Sequence, residues 1–391
     1  GLMPPLAVLH RMANGLDSFP LLAIPFFIMA GSLMNSAGIT ERVYGFALTL
    51  VGWMRGGLGQ VNVVGSVIFA GMSGTAVADA GGIGNIELKA MKDHGYRTDF
   101  AVGITGVSST IGPIIPPSLP MVIYGVMANA SIGQLFAAGL LPGLFMAAAM
   151  MVMVAVIAHR EGMPRDTNFS VSRIGLSFVR AFLPLMTPVI LIGGMLSGAF
   201  TPTEAAIAAT AWSLFLGAVI YRTLGWRRLV RVTMETVETS AIVLLIVAGA
   251  SIFGWLITTT RVTETIAASV LSVTTDRVLL LLLVNLFLLV VGCFLETIAA
   301  ITILVPVLLP IVTAVGVDPV HFGVIMVLNL MIGLLTPPVG MVLFILSRLS
   351  GLSFEATTAA IFPWMIPLLV SLLVVTYWPG MVLYLPTLFY R

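Results

Sequence analysis

Gly112-Pro113-Ile114-Ile115-Pro116-Pro117 returns 221 residues later as Gly333-Leu334-Leu335-Thr336-Pro337-Pro338. The same interval carries Gly71 to Gly292 and Pro142 to Pro363, so a whole stretch recurs and not one motif. Proline inside a helix removes an N–H and clashes with the carbonyl four residues back, and glycine permits the unusual backbone angles beside it. Matching Gly/Pro interruptions in two halves of an apolar chain point to broken helices and a binding site near the middle of a membrane.

The surroundings of the motif make the membrane obligatory. The chain is 59% hydrophobic and 9% charged, with a mean hydropathy of +1.11. Soluble domains carry about 25% charged residues. Apolar runs long enough for about 30 Å of hydrocarbon recur throughout, and they are continuous, which excludes a β-barrel. The lone Cys293 allows no disulfide within the chain and no zinc or redox pair. His10, His94, His159 and His321 lie near segment ends and read as interfacial loop residues, not metal ligands. Neither a P-loop nor a Ser/His/Asp group is present, which argues against an ATPase or a hydrolase; no cofactor is expected.

Punctuation by Gly, Pro and charge divides the chain into apolar segments 18–35, 43–54, 60–90, 98–127, 132–158, 181–200, 203–221, 227–258, 262–273, 277–314, 319–347 and 353–378. These group into a lead-in at 1–17, a first repeat at 18–158, a connector at 159–226, a second repeat at 227–378 and a tail at 379–391. Lys and Arg concentrate at 89–97, 159–180 and 222–231; the positive-inside rule then puts 14 of the 18 in the cytoplasm and leaves Arg11, Arg261, Arg277 and Arg391 outside. Segment 60–90 therefore starts and ends inside, and its mate 277–314 starts and ends outside. The two repeats are inverted, and the C-terminus is expected in the periplasm. Residues 227–240 mix Arg227, Arg228, Arg231, Glu235 and Glu238 with apolar residues and read as an amphipathic interfacial arm. Trp53, Trp226, Trp255, Trp364 and Trp378 are candidates for the headgroup belt.

Three constellations carry chemistry. Segments 60–90 and 277–314 each have a midpoint, Gly71 to Asp79 and Gly292 to Thr297, without the charged or Pro-rich loop expected in water. Re-entrant hairpins fit, although two spanning helices joined by a short turn leave the same topology. The two Pro-Pro breaks free carbonyl oxygens, which hydrocarbon tolerates only where protein, water or an ion satisfies them. A sodium ion would do so, with Ser73 and Thr336 adding hydroxyls; plain proline kinks are the alternative. Asp79 and Glu296 are acids within apolar segments, which ordinarily face a cavity or a partner, or else cap a half-helix N-terminus. Glu204 after Thr201-Pro202-Thr203 reads as a helix start with a structural acid.

Ser73-Gly74-Thr75-Ala76-Val77-Ala78-Asp79-Ala80, the two Gly-x-x-x-Pro-Pro stretches continuing into Ser118 and Val339-Gly340, and Thr201-Pro202-Thr203-Glu204-Ala205-Ala206 occur in an order that resembles the large membrane subunit of tripartite ATP-independent periplasmic (TRAP) transporters. The likeness covers essentially the whole chain. It implies an all-α polytopic inner-membrane protein with inverted repeats, each holding a re-entrant hairpin and a broken helix. It also implies sodium-driven import of an organic anion by an elevator motion. The partners would be a small four-helix membrane subunit, separate or fused, and a periplasmic substrate-binding protein; no nucleic acid is involved. Members of the family have sequence ahead of the position matching Gly1, so an upstream helix is expected to be missing here or to belong to a fused partner.

Carried over residue by residue, one sodium site would use Ser73 with Gly112, Ile115 and Pro117. The other would use Gly292 to Glu296 with Gly333, Thr336 and Val339. Thr75, where the family motif often has Ser, is the first substrate-facing candidate, with Asp79 and Ser118. The substrate stays open among C4-dicarboxylates, sugar acids, sialic acids and keto acids. A stand-alone elevator transporter without a binding protein and a passive anion channel remain as alternatives.

Overall fold

The computed structural model describes residues 5–260 and 262–390. The described residues form helices and connecting turns, without a strand. Among the described residues, seven runs are apolar and long enough to cross a bilayer: Phe19–Ser36, Ile132–Arg160, Val171–Leu196, Pro202–Ile220, Trp226–Ile257, Thr297–Ala314 and Phe354–Tyr377. The protein is a multi-pass helical membrane protein.

The 221-residue interval is visible in the helix boundaries. Ala76, where the return limb of the first hairpin starts, maps onto Thr297, where that of the second starts; Thr98 maps likewise onto Pro319. The first hairpin runs through Gly57–Ser73, Ala76–Gly81 and Ile83–Asp93, and the second through Arg277–Gly292 and Thr297–Ala314. Each is followed by a helix in two pieces: Thr98–Ser109 with Leu119–Ala128, then Pro319–Gly333 with Met341–Ser350. The first two pieces, 12 and 10 residues, rise about 18 and about 15 Å, so each covers roughly half of the hydrocarbon core. The peptide bonds Pro116–Pro117 and Pro337–Pro338 are both cis, again at matching positions.

The repeats interlock. Met341–Ser350 of the second packs on Ala76–Gly81 of the first hairpin, and Leu119–Ala128 of the first packs on Thr297–Ala314 of the second hairpin. Within each repeat a buried amide joins hairpin to broken helix. Asn62 donates to Thr105 Oγ1 at 2.7 Å and accepts from Ser108 Oγ at 2.6 Å. Asn329 donates to Asn285 Oδ1 at 2.7 Å, and Asn285 donates to Thr376 Oγ1 at 3.0 Å. Polar bonds of this kind weld helices where lipid removes any hydrophobic drive between them. Around this interlocked unit Ala23–Ser36 packs between Pro202–Phe215 and Trp226–Thr259. Ile39–Val51, with 13 residues and a rise of about 20 Å, is too short to cross.

Several expectations change. The arm at 227–240 and the span after it are one continuous helix, Trp226–Thr259. The tail at 379–391 is the helix Pro379–Phe389, packed on Ile132–Arg160. Trp364 is no belt residue: it is 3% exposed, its ring against Phe100 and close over Gly103. His321 is not in an interfacial loop but fully buried, its Nε2 2.8 Å from the Val375 carbonyl. Arg261 and Arg391 lie outside the described residues. Thr201 and Glu204 form the expected capping box, Thr201 N–H donating to Glu204 Oε2 at 2.8 Å.

Ile132–Arg160 keeps its helix through Pro142, and its glycines let it reach the first break. A Cβ on Gly139 would stand 2.1 Å from the Ile114 carbonyl oxygen, and one on Gly143 2.3 Å from Ile115. The partner proline, Pro363, sits in a single 3-10 turn at Phe362–Trp364. Gly139→Ala should therefore destabilise by about 1–3 kcal/mol through overpacking, read as a fall of several degrees in the melting temperature of the purified protein. Gly175→Ala, whose Cβ meets nothing within 4 Å, should leave melting unchanged or raise it.

Candidate functional site

Both hairpin tips end against a helix break. At the first, Gly57–Ser73 stops because Gly74 takes a left-handed conformation, φ 64. Thr75 is extended and caps the return, accepting from the Ala78 N–H at 3.1 Å. A Cβ on Gly74 would lie 2.7 Å from the Pro117 carbonyl oxygen, and the Gly74 carbonyl accepts from the Leu119 N–H at 3.2 Å. A tip that meets the midpoint of a broken helix is re-entrant, which sets aside the reading as two spanning helices.

The polar groups left over here are the informative ones. Ser73 Oγ and Asp79 Oδ2 are buried with no hydrogen-bond partner among the described residues. Both face Gly112: a Cβ there would lie 3.6 Å from Ser73 Oγ, 3.4 Å from Asp79 Oδ2 and 3.5 Å from the Ser109 carbonyl. Asp79 is held by its other oxygen, which accepts from Ser66 Oγ at 3.1 Å. Among the described residues, the carbonyls of Gly112, Ile115 and Pro117 accept no hydrogen bond. Residues 111–118 are all buried, so these oxygens do not face the protein surface. Hard oxygen donors of this kind, one of them a carboxylate, suit a small cation.

The second tip is built differently. Glu296 stands where the first repeat has Thr75, and it too caps the return helix, Oε2 accepting from Ile298 and Ala299 N–H at 2.8 and 3.2 Å. Capping is the shared task of the pair. Gly292 and Gly333 cross with almost no separation: a Cβ on Gly333 would lie 2.4 Å from the Gly292 backbone. Thr336 Oγ1 donates back to the Ile332 carbonyl at 2.9 Å, and the Cys293 carbonyl accepts from Val339 N–H at 3.2 Å. The carbonyls of Gly292, Thr336 and Val339 accept no hydrogen bond among the described residues, whereas that of Gly333 accepts from Thr336 N–H at 2.9 Å. The buried, unpartnered hydroxyl on this side belongs to Thr297. Pro337, Pro338 and Val339 are exposed, and Phe294 is 59% exposed, so this break is open where the first, at 111–118, is buried.

The structure thus brings Ser73, Asp79, Gly112 and Pro117 together, with Ile115 in the same loop. Asp79 N–H donates to the Thr75 carbonyl at 3.1 Å, one turn on, while its Oδ2 faces Gly112 beside Ser73 Oγ. Ser118 is committed to closing the break: it is fully buried, donates to the Pro113 carbonyl and accepts from Met121 N–H at 3.2 Å. Thr75 is half-buried, and its hydroxyl proton is still available to a ligand. Sequence reasoning passed over Ser66, Thr297 and Glu87. Glu87 was visible as an acid within segment 60–90; it is 1% exposed, and neither of its oxygens has a partner.

Comparisons with known proteins agree with this architecture. Residues 2–381 match the family model described as the DctM component of the tripartite ATP-independent periplasmic transporter. The sialic acid TRAP transporter large permease protein SiaM of Vibrio cholerae is 48% identical over 97% of this chain and 89% of its own length. The C4-dicarboxylate TRAP transporter large permease protein DctM of Pseudomonas aeruginosa is 38% identical over 95% and 87%. The sialic acid TRAP transporter permease protein SiaT of Haemophilus influenzae is 41% identical over 98% of this chain, which spans 62% of SiaT. The crystal structure of the YdaH transporter of Alcanivorax borkumensis shares the fold, with a TM-score of 0.72 at 13% identity over 97% of this chain and 88% of that one. The chain, a transporter permease and not an enzyme, belongs to the DctM-component family of TRAP transporters.

Proposed function

We propose that this permease imports a small organic anion, driven by sodium, with a sialic-acid-type sugar acid as the first substrate to test. The buried oxygen set around Gly112 carries the reading. Ser73 Oγ, Asp79 Oδ2 and the carbonyls of Gly112, Ile115 and Pro117 have no hydrogen-bond partner among the described residues, and a sodium ion would supply one. The second tip, with Thr297 and the carbonyls of Gly292, Thr336 and Val339, offers a weaker and more open counterpart. Sodium would join tip to break on each side and offset the charge of a carboxylate. The substrate would be held beside Thr75, helped by the half-helix N-termini at Leu119 and Met341.

The relatives named for sialic acid support that substrate class, and the one named for C4-dicarboxylates keeps a smaller dicarboxylate in view. The family description, a component of a tripartite transporter, supports a small membrane subunit and a periplasmic binding protein that delivers the anion. The interlocked hairpin unit would move as one body against the surrounding helices in an elevator step. The arginine-rich face would lie in the cytoplasm of a bacterial inner membrane, with Tyr390 at the opposite side.

Uptake of a labelled sialic acid into proteoliposomes holding both membrane subunits and the binding protein tests the whole. It should require an inward sodium gradient, and full uptake without one overturns the coupling. Ser73→Ala and Thr297→Val each remove one hydroxyl ligand, and each should raise the half-saturating sodium concentration on the order of tenfold with melting unchanged. Gly333→Leu is a packing probe, since its side chain would enter the Gly292 backbone. If one net positive charge enters per cycle, −100 mV inside should raise accumulation about 50-fold; a flux indifferent to voltage points to electroneutral symport, sodium balancing the anion's charge.

A further inference from the structure

Between Ile39–Val51 and Val171–Pro188 lies a cavity of about 710 Å³ whose walls carry Arg42, Arg173 and Arg180 against one carboxylate, Glu41. The walls are two helical stripes. Arg173, Ser177 and Arg180 recur on one face of their helix, and Arg42, Phe46 and Thr49 on one face of theirs. The stripes run antiparallel: Trp53 meets Phe169 at 5.5 Å, Thr49 Oγ1 lies 2.6 Å from Ser177 Oγ, and the rings of Phe46 and Phe178 are 5.9 Å apart. The Thr49–Ser177 hydrogen bond holds the helices in register across the groove.

None of the three arginines is in an ion pair among the described residues; the pairs found there join Arg97 to Asp99 and Glu161. Arg42 is nonetheless held in place, its guanidinium 4.1 Å over the Tyr221 ring, which leaves the N–H edge free to donate. Phe46 and Leu176 line the same cavity, and Val179 and Phe182 beside it are 70% and 42% exposed. Cationic donors directly beside an apolar, lipid-facing surface match a ligand with an oxyanion at one end and hydrocarbon at the other. The guanidinium fork fits phosphate oxygens. Trp53 and the arginine-rich end place the groove at headgroup depth on the face that the positive-inside rule assigns to the cytoplasm.

We propose that this groove binds the phosphate of an anionic phospholipid headgroup from that leaflet. The site joins Ile39–Val51, the helix that leads directly into the first hairpin, to Val171–Pro188 and to Tyr221 of the connector. A bound headgroup would bridge Arg42 to Arg173 and Arg180 and hold the arm against its neighbours while the hairpin unit works.

Native mass spectrometry of the purified permease complex, washed and then offered phosphatidylglycerol or phosphatidylcholine, tests this. Wild type should retain phosphatidylglycerol over phosphatidylcholine by tenfold or more. Arg42→Gln with Arg180→Gln should lose retention by about fivefold per arginine removed, and the paired Lys substitutions should keep most of it. Should the glutamine pair fail to fold, Arg173→Gln alone is read in the same way. Equal retention of the two lipids, or undiminished phosphatidylglycerol on a glutamine variant that melts like wild type, overturns the proposal. Millimolar inorganic phosphate that displaces the lipid and protects against melting equally well would assign the site to a free anion, and the lipid reading falls.

Discussion

An unpaired carbonyl oxygen in hydrocarbon has nowhere to turn, and the fold is arranged around two clusters of them. The Pro-Pro pairs leave the backbones at 112–117 and 333–338 without the hydrogen bonds of a continuous helix. Each such group costs several kcal/mol in a dry environment. The hairpin tips are brought to these two places, the Asn62 and Asn329 bridges hold hairpin to broken helix, and Gly139 and Gly143 let a long helix close the first break from behind. Even so, protein atoms do not satisfy the whole set around Gly112. That residual deficit is the strongest argument that a cation belongs there.

Symmetry supplies two such places, and its breaking gives them different characters. Thr75 and Glu296 hold the same position in their repeats and do the same job as helix caps. The carboxylate that faces a break comes instead from Asp79, whose mate is Ala300, and the free hydroxyls are Ser73 in one repeat and Thr297 in the other. The first break is buried and the second is partly exposed.

The surrounding helices show the economy of the fold. Trp226–Thr259, a single helix of 34 residues, rises about 51 Å, so its basic end can lie at the interface while the rest crosses. The short helices Ile39–Val51 and Val262–Val273 lead into the two hairpins and are related by the same repeat. Their shortness keeps each hairpin entering and leaving on one side. The arginines beside the first of them put a concentrated positive charge next to the element that leads into the first hairpin.

Much of this was legible because a bilayer narrows the options: a chain so apolar must be helical, and Gly and Pro at matching places must mark interruptions. The 221-residue interval and the lysine and arginine bias together gave two inverted repeats, two hairpins and two breaks, and helix boundaries follow that interval to the residue at Ala76 and Thr98. Which polar atoms remain unsatisfied could not be read the same way. Glu296 and Ser118, read from the sequence as site residues, cap helices through Oε2 and Oγ, Asp79 Oδ2 faces Gly112 while its Oδ1 accepts from Ser66, and His321 and Trp364 are buried by neighbours far away in the chain. Periodicity and topology are local properties of the sequence under the constraint of the membrane. The direction and partner of each side chain depend on contacts across the two interlocked repeats, and only the tertiary structure decides those.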